Sequence, residues 1–244
     1  MGLNVIRMGR CVNEPDEPSR IIGPVGKQLH HLAKDWSELQ GTGAIVGVYH
    51  ALGREKLDVH QVTVEQIVSK GFDSFRVSAM VFEHMTYGPF AQLAITYGCT
   101  GPFWTLEANE LAAPLALWTA WHDLQKKRCD LAIIGAYRRK TPTAWMLLVS
   151  QDDTSTLEPA LIHTNGHTHP TTEHLHELNQ RLGGDCALLT PTAKDHDTNG
   201  FDALYQSLTL AQAGKATAIW RCTPDGRGTL LGFRRRDVGT LGAN

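Results

Sequence analysis

Twelve histidines and five cysteines are the first candidates for chemistry in this sequence of 244 residues. The thiols Cys11, Cys99, Cys129, Cys186 and Cys222 are scattered and odd in number, with no C-x-x-C pair, so they read as reduced thiols of a cytoplasmic protein. His163, His167, His169, His174 and His176 crowd one polar stretch. Paired imidazoles at H-x-H spacing could hold a metal, yet that spacing on a loop matches no zinc pattern and no cysteine joins it, which favours a solvated loop and no metal. Glu110 stands where an apolar helix begins, a place where the helix dipole favours a carboxylate. Neither G-x-S-x-G nor a glycine-rich phosphate loop occurs, so a serine hydrolase is disfavoured and no nucleotide cofactor is implied.

The elements that must position these groups follow from periodicity and turn signals. Residues 24–38 read as a helix and 43–50 as a buried strand. Thr63 with Gln66 suggests a capping box for a short helix through Val68. Gly88-Pro89 opens a helix that stops at Gly98. A strand at 103–107, a long apolar helix at 109–127 and strands at 130–136 and 142–150 come next. The stretch 151–184 is polar and reads as a surface excursion with one short helix near 171–182. Strand 185–190, helix 199–213, strand 216–222, the turn Pro224-Asp225-Gly226 and strand 228–234 complete the order. Strands alternating with helices predict an α/β class with a mainly parallel sheet and a closing antiparallel hairpin. No internal repeat is visible and no Gly/Ser linker marks a boundary, so one compact domain is expected.

Composition narrows the partners. Lys plus Arg is 23 against 25 for Asp plus Glu, a formal net charge of -2, and no stretch carries the dense positive field that binding nucleic acid requires. The runs Lys126-Lys127-Arg128, Arg138-Arg139-Lys140 and Arg234-Arg235-Arg236 read as solvated ends of elements. MGLNVIRMGR lacks a continuous apolar core and no segment reaches the length of a membrane span, so neither export nor membrane insertion is expected.

The most specific stretch is 88–136, GPFAQLAITYGCTGPFWTLEANELAAPLALWTAWHDLQKKRCDLAIIGA. In it a helix ends in Tyr97-Gly98, Gly101-Pro102 follows, and a strand leads into a long helix and then the strand Leu131 to Ala136. This resembles the N-terminal half of the β-ketoacyl synthases of the thiolase superfamily. The resemblance implies a truncated thiolase-like α/β fold, with a mixed sheet flanked by helices: 1–150 as the synthase-like half, then the excursion 151–184, and 185–244 as a reduced C-terminal β-α-β-β portion. In that family a cysteine at the strand-to-helix elbow is activated by unpaired amides and the helix dipole. It takes an acyl chain from a thioester and condenses it with a carbanion formed by decarboxylation, assisted by two histidines.

Eight residues past Pro102, where the family carries its cysteine, this chain has Glu110, and a carboxylate cannot replace a thiolate in transthioesterification. Cys99 falls in the turn before the strand and reads as a small half-buried residue. Nothing after residue 150 reproduces the family's catalytic histidine motif. A ketosynthase frame without its nucleophile resembles the chain-length factor of type II polyketide and aryl polyene systems. That resemblance implies a non-catalytic subunit pairing with an active ketosynthase, reached by acyl carrier protein only through that partner. Phe103, Trp104, Thr105, Leu106 and Glu107 would form the dimer interface, pairing antiparallel with the partner's counterpart. Met80, Phe82, Met85 and Phe90 would close the far end of the partner's acyl tunnel, or be ordinary core residues. Asp123, Lys126, Lys127 and Arg128 could face a carrier protein, although cations at a helix C-terminus suit the dipole equally. Two further readings remain open: a malonyl-thioester decarboxylase using Glu110 to prime chains, and a homodimeric acyl-binding scaffold paired through 103–107.

Overall fold

The computed structural model describes residues 2–12, 24–39, 41–53, 68, 87–138, 143–152, 157–164, 169–189, 200–222 and 227–235. Among them the chain forms β1 (Gly2–Val12), α1 (Pro24–Ala33), β2 (Val46–Leu52), α2 (Gly88–Thr96), β3 (Phe103–Glu107), α3 (Ala112–Gln125), β4 (Leu131–Arg138) and β5 (Thr143–Asp152). It continues with β6 (Leu157–Thr164), α4 (Thr172–Leu182), β7 (Ala187–Leu189), α5 (Phe201–Gln212), β8 (Thr217–Cys222) and β9 (Gly228–Arg235). A 3-10 turn, Asn109–Leu111, leads into α3. The Thr63/Gln66 capping box and the 224–226 turn lie outside the described residues.

The strands make one sheet in the order β3-β2-β4-β5-β1-β6-β9-β8-β7. β2 runs parallel to β3 and to β4, and β7 runs parallel to β8. The other ladders are antiparallel. The sheet is therefore mixed and antiparallel ladders outnumber parallel ones, which corrects the expectation of a mainly parallel sheet. The cause is long-range: β1 pairs with β5, Arg10 opposite Trp145, a partner that local periodicity cannot reveal.

A seam divides the sheet. Among the described residues β1 meets β6 through the single pairing Leu3 with Leu157. On one side β1-α1-β2-α3-β4-β5 gives the order β2-β4-β5-β1, and on the other β6-α4-β7-α5-β8-β9 gives β7-β8-β9-β6. The parallel and antiparallel senses match step by step, so the two halves are topological copies, the first enlarged by α2 and β3. The polar excursion expected over 151–184 is thereby corrected. Its helix exists as α4, but β6 lies inside the sheet, paired with β9 from Leu157 opposite Arg235 to Thr164 opposite Gly228. The second half begins at β6 and not at residue 185.

Burial separates into three layers of side chains. The central one joins Ala112, Ala116, Leu117 and Ala120 of α3 with Phe201, Leu204 and Leu208 of α5. The same cluster takes Ala51, Ile134 and Leu147 from the first half-sheet and Leu161, Ile219 and Leu231 from the second. The alanines of α3 let helix and sheet approach closely, while the large side chains of α5 fill the remaining space. On the outer face of the first half, Leu29 of α1 and Phe90 and Leu93 of α2 pack on Val48, Ile133 and Met146. On the outer face of the second, Leu178 and Leu182 of α4 pack on Ile162, Ala218 and Leu230. The layers run helix, sheet, helix, sheet, helix, with α3 and α5 sandwiched at the centre.

Candidate functional site

The elbow between β3 and α3 is built from backbone strain and close approach. Ala108 donates its N–H to the Leu52 carbonyl (3.3 Å) as β3 ends, and Asn109 then adopts φ 48°, a left-handed conformation that asparagine tolerates better than most side chains. The reversal starts the 3-10 turn, so Glu110, half-buried, occupies the first turn leading into α3. Gly200, at φ 78°, caps α5 directly against it. A Cβ on Gly200 would fall far inside 3.0 Å of the Glu110 carbonyl oxygen and 3.3 Å from Cδ of Pro114. The N-terminal ends of the two central helices thus meet at Glu110, and only glycine fits between them.

One wall of this junction is Trp145, fully buried on β5. Its indole N–H donates to Oδ1 of Asp202 in the first turn of α5 (2.8 Å), and its ring lies 6.1 Å from that of Phe201. The guanidinium groups of Arg138 and Arg10 stand over the indole at 5.1 and 5.6 Å. Arg138 also pairs with Asp202 (3.6 Å). Arg138 is therefore part of this junction, which corrects its reading as a solvated basic end; Arg139 and Lys140 lie outside the described residues. Sequence reasoning missed Arg10, Trp145, Gly200 and Asp202, because they come from three distant elements and match no motif.

None of the five thiols lies within the elbow. Cys99, in the turn after α2, is half-buried, and burial pushes its thiol up to about 11, away from the thiolate form a nucleophile needs. Cys129 is buried beyond the far end of α3, where Tyr49 donates its hydroxyl to Oδ2 of Asp123 (2.9 Å) and lies 3.6 Å from the Cys129 sulfur. Arg128 grips the other Asp123 oxygen (3.0 Å). Asp123 is thus a buried strut between α3 and β2, which corrects its placement on a carrier-facing surface; Lys126 and Lys127 are exposed.

The edge of the sheet is where exposed apolar surface gathers. β3 is its first strand, with Phe103 41% and Trp104 48% exposed, Thr105 and Glu107 exposed and Leu106 half-buried against the central layer. Beside it α2 exposes Ile95 (74%), and Tyr87, Ala91, Ala94, Ile95, Phe103 and Thr105 line an apolar groove of about 520 Å³. Phe90 points the other way. It is wholly buried, stacked 4.6 Å from the His50 ring, and packed over Gly135, where a Cβ would come 2.5 Å from its ring. Met80, Phe82 and Met85 lie outside the described residues. His50 is itself fully buried between Phe90 and Tyr137 (5.3 Å), and no hydrogen-bond partner reaches either ring nitrogen among the described residues. Desolvation holds it neutral, with its pKa pushed down to about 3.

The remaining sequence candidates serve structure. Thr171 and His174 form a reciprocal capping box at the start of α4, and His176 pairs with Gln180 (2.9 Å). His163 and His169 are exposed, and His167 lies outside the described residues. No group of three or more metal-ligating side chains occurs among the described residues. Arg234 donates to the carbonyls of Leu182 (2.6 Å) and Gly183, and Arg235 to that of Gln212 (3.2 Å). Both arginines close helix C-termini; half-buried Arg234 departs from the expected solvated run, whereas Arg235 is exposed at the end of β9. No helix of the described residues is long and apolar enough to cross a membrane.

Solved structures share this architecture at low identity. A chain of the Xenorhabdus doucetiae ketosynthase ApeO in complex with its chain length factor ApeC matches with a TM-score of 0.68, over 96% of this chain and 98% of the other, at 8% identity. A β-ketoacyl synthase from Burkholderia phymatum matches with a TM-score of 0.64 over 92% and 86%, at 11% identity. The ishigamide ketosynthase/chain length factor matches with a TM-score of 0.59 over 79% and 74%, at 13% identity. No protein-family model and no curated protein matches the sequence. The fold is thus the thiolase-like fold in which ketosynthases and chain length factors are built, with a mixed sheet and flanking helices.

Proposed function

We propose that this chain is a non-catalytic, chain-length-factor-like subunit that pairs with an active β-ketoacyl synthase and shapes its acyl tunnel. The feature that supports the reading is a strand-to-helix elbow, strained at Asn109 and seated on Gly200, with Glu110 in the first turn leading into α3, the position we assign to the nucleophile of active synthases. A carboxylate at that point cannot form the acyl thioester from which condensation proceeds, so chain elongation depends on a nucleophile from elsewhere. The exposed aromatic edge of β3 and the groove beside it support a role as one side of an interface, since uncovered apolar edges invite aggregation. Acyl carrier protein then delivers its chain to the partner's cysteine. The contribution of this chain is steric, limiting how far the product extends. The aryl polyene and type II polyketide systems are the setting in which such a subunit acts.

Coexpression with an active ketosynthase of the same genome tests the proposal. The two proteins are expected to co-purify, and ketosynthase alone to lose activity or chain-length control. Separate elution with normal elongation by the ketosynthase alone would refute it. Acetyl carrier protein formed from malonyl carrier protein by this chain alone, and lost in Glu110→Ala, would instead assign a priming decarboxylase.

A further inference from the structure

Four helices end in the same closure. Past each of α2, α3, α4 and α5 a left-handed residue reverses the chain, and the N–H that follows it reaches back to a carbonyl five residues earlier. The bonds run from Cys99 to Ala94 (2.8 Å), Arg128 to Asp123 (2.9 Å), Gly184 to Asn179 (2.9 Å) and Lys215 to Leu210 (3.0 Å). Three of the left-handed residues are glycine: Gly98 (φ 62°), Gly183 (φ 69°) and Gly214 (φ 86°). The fourth, after α3, is Lys127 at φ 54°. Glycine takes that conformation without steric cost and lysine does not.

The helix dipole does not account for the exception. It favours cations at the C-terminus of α3, but Lys126 and Arg128 already supply two, neither of them at positive φ. Lys127 adds a third charge at a conformational cost. All three residues are exposed. The neighbouring acids are engaged elsewhere: Asp123 is buried on Tyr49 and bonded to Arg128, and Asp130 accepts the Ile45 N–H (2.8 Å). Neither lysine forms an ion pair among the described residues. His122, exposed and four residues before Lys126, shares its face of the helix. One turn of cations is too short to follow a nucleic-acid backbone. Exposed throughout from residue 125 to 128, it offers no enclosure for a single small anion. We propose that Lys127, with Lys126, docks a second protein through a cluster of carboxylates, and that this contact retains a strained lysine where folding alone favours glycine. The surface lies at the opposite end of α3 from the elbow and is independent of pairing through β3.

Fluorescence anisotropy with labelled oligoglutamate, set beside calorimetry of each full-length variant, tests this. The wild type is expected to bind oligoglutamate and not oligoserine. Lys127→Gly removes strain and charge together, so Tm should rise by roughly 2–4 °C while binding weakens by about fivefold, the scale of one exposed ion pair. Lys127→Gln keeps the strain and loses the charge, and should show the wild-type Tm with the same loss of binding. Lys127→Arg should match the wild type in both. Lys215→Gln, which removes an exposed cation after α5, should leave binding unchanged. Arg128 is kept intact in every variant because it holds Asp123. A wild type that binds no oligoglutamate, full binding by Lys127→Gly, an equal loss in Lys215→Gln, or no rise in Tm for Lys127→Gly would each overturn the proposal. Displacement of oligoglutamate by inorganic phosphate or duplex DNA at equal charge concentration would overturn it too, by assigning a phosphate ligand.

Discussion

Replacing Gly200 by alanine tests whether the junction of α3 and α5 is as tight as its geometry demands. Two costs combine. The left-handed φ of 78° costs a side-chain-bearing residue about 1–2 kcal/mol. The new Cβ also overlaps the backbone carbonyl of Glu110, which cannot swing aside as a side chain can, so α5 must back away from α3 by most of an ångström. Overpacking of that kind costs about 1–3 kcal/mol. The sum, about 2–5 kcal/mol, lowers Tm by roughly 5–20 °C in a chain of this size. Gly214 supplies the control: its φ is 86°, yet nothing lies within 4 Å of a Cβ placed there. Gly214→Ala therefore carries the strain without the overlap and should cost about 1–2 kcal/mol. Calorimetry on both variants separates the terms. Equal losses for the two would refute the claim that Gly200 is required by contact with the elbow.

Other perturbations probe the buried polar groups. Tyr49→Phe leaves an Asp123 oxygen without its hydroxyl donor in a buried site and should cost about 1–3 kcal/mol by urea unfolding, whereas a loss near zero would mean that water replaces the bond. His50 has a folded pKa near 3 against about 6.5 unfolded, so the unfolded state binds more protons between those values. Its stabilising contribution is complete above about pH 6.5 and is lost as pH falls, by up to about 1.4 kcal/mol per pH unit. His50→Leu should flatten the urea midpoint between pH 6.5 and 4.5 relative to wild type, and an unchanged slope would refute the assignment. Cys99, its thiol raised to about 11, should react with iodoacetamide at pH 7.5 much more slowly than a free thiol such as glutathione, read by peptide mass spectrometry.

Legibility in the sequence tracked how local each cause was. Strand 103–107 was readable to the residue because Phe, Trp, Thr and Leu follow Gly101-Pro102 and precede a helix start. The helix at Pro89 and the helix after Glu110 were readable for the same kind of reason. β6 was not, because LEPALIHT contains a proline and a histidine and precedes a polar tract. Its burial comes from β9, some seventy residues away, and from α4 packed on its outer face. The duplication was hidden because the halves share pairing order and not side chains: alanine-rich α3 corresponds to α5 with its Phe and Leu residues, and the elbow strand has no counterpart among the described residues. At the site, Glu110 was visible and its neighbours were not, since Arg10, Trp145 and Gly200 converge only through the β1–β5 ladder and the central helix pair.

The elbow has a structural role that does not depend on the side chain at residue 110: the strained turn seats the two central helices. Asn109 reverses the chain so that the Glu110 carbonyl meets Gly200, and Asp202 in the next turn ties α5 to Trp145 and Arg138. Relaxing the turn would not release strain at little cost, because it would unseat α3 from α5 and open the layer that holds both half-sheets together. A substitution at residue 110 therefore leaves the turn itself in place, since the contact of the two central helices requires it. The geometry of the elbow is thus a requirement of folding, and the side chain at its tip decides the chemistry; with a carboxylate at residue 110, the proposed function assigns condensation to the partner.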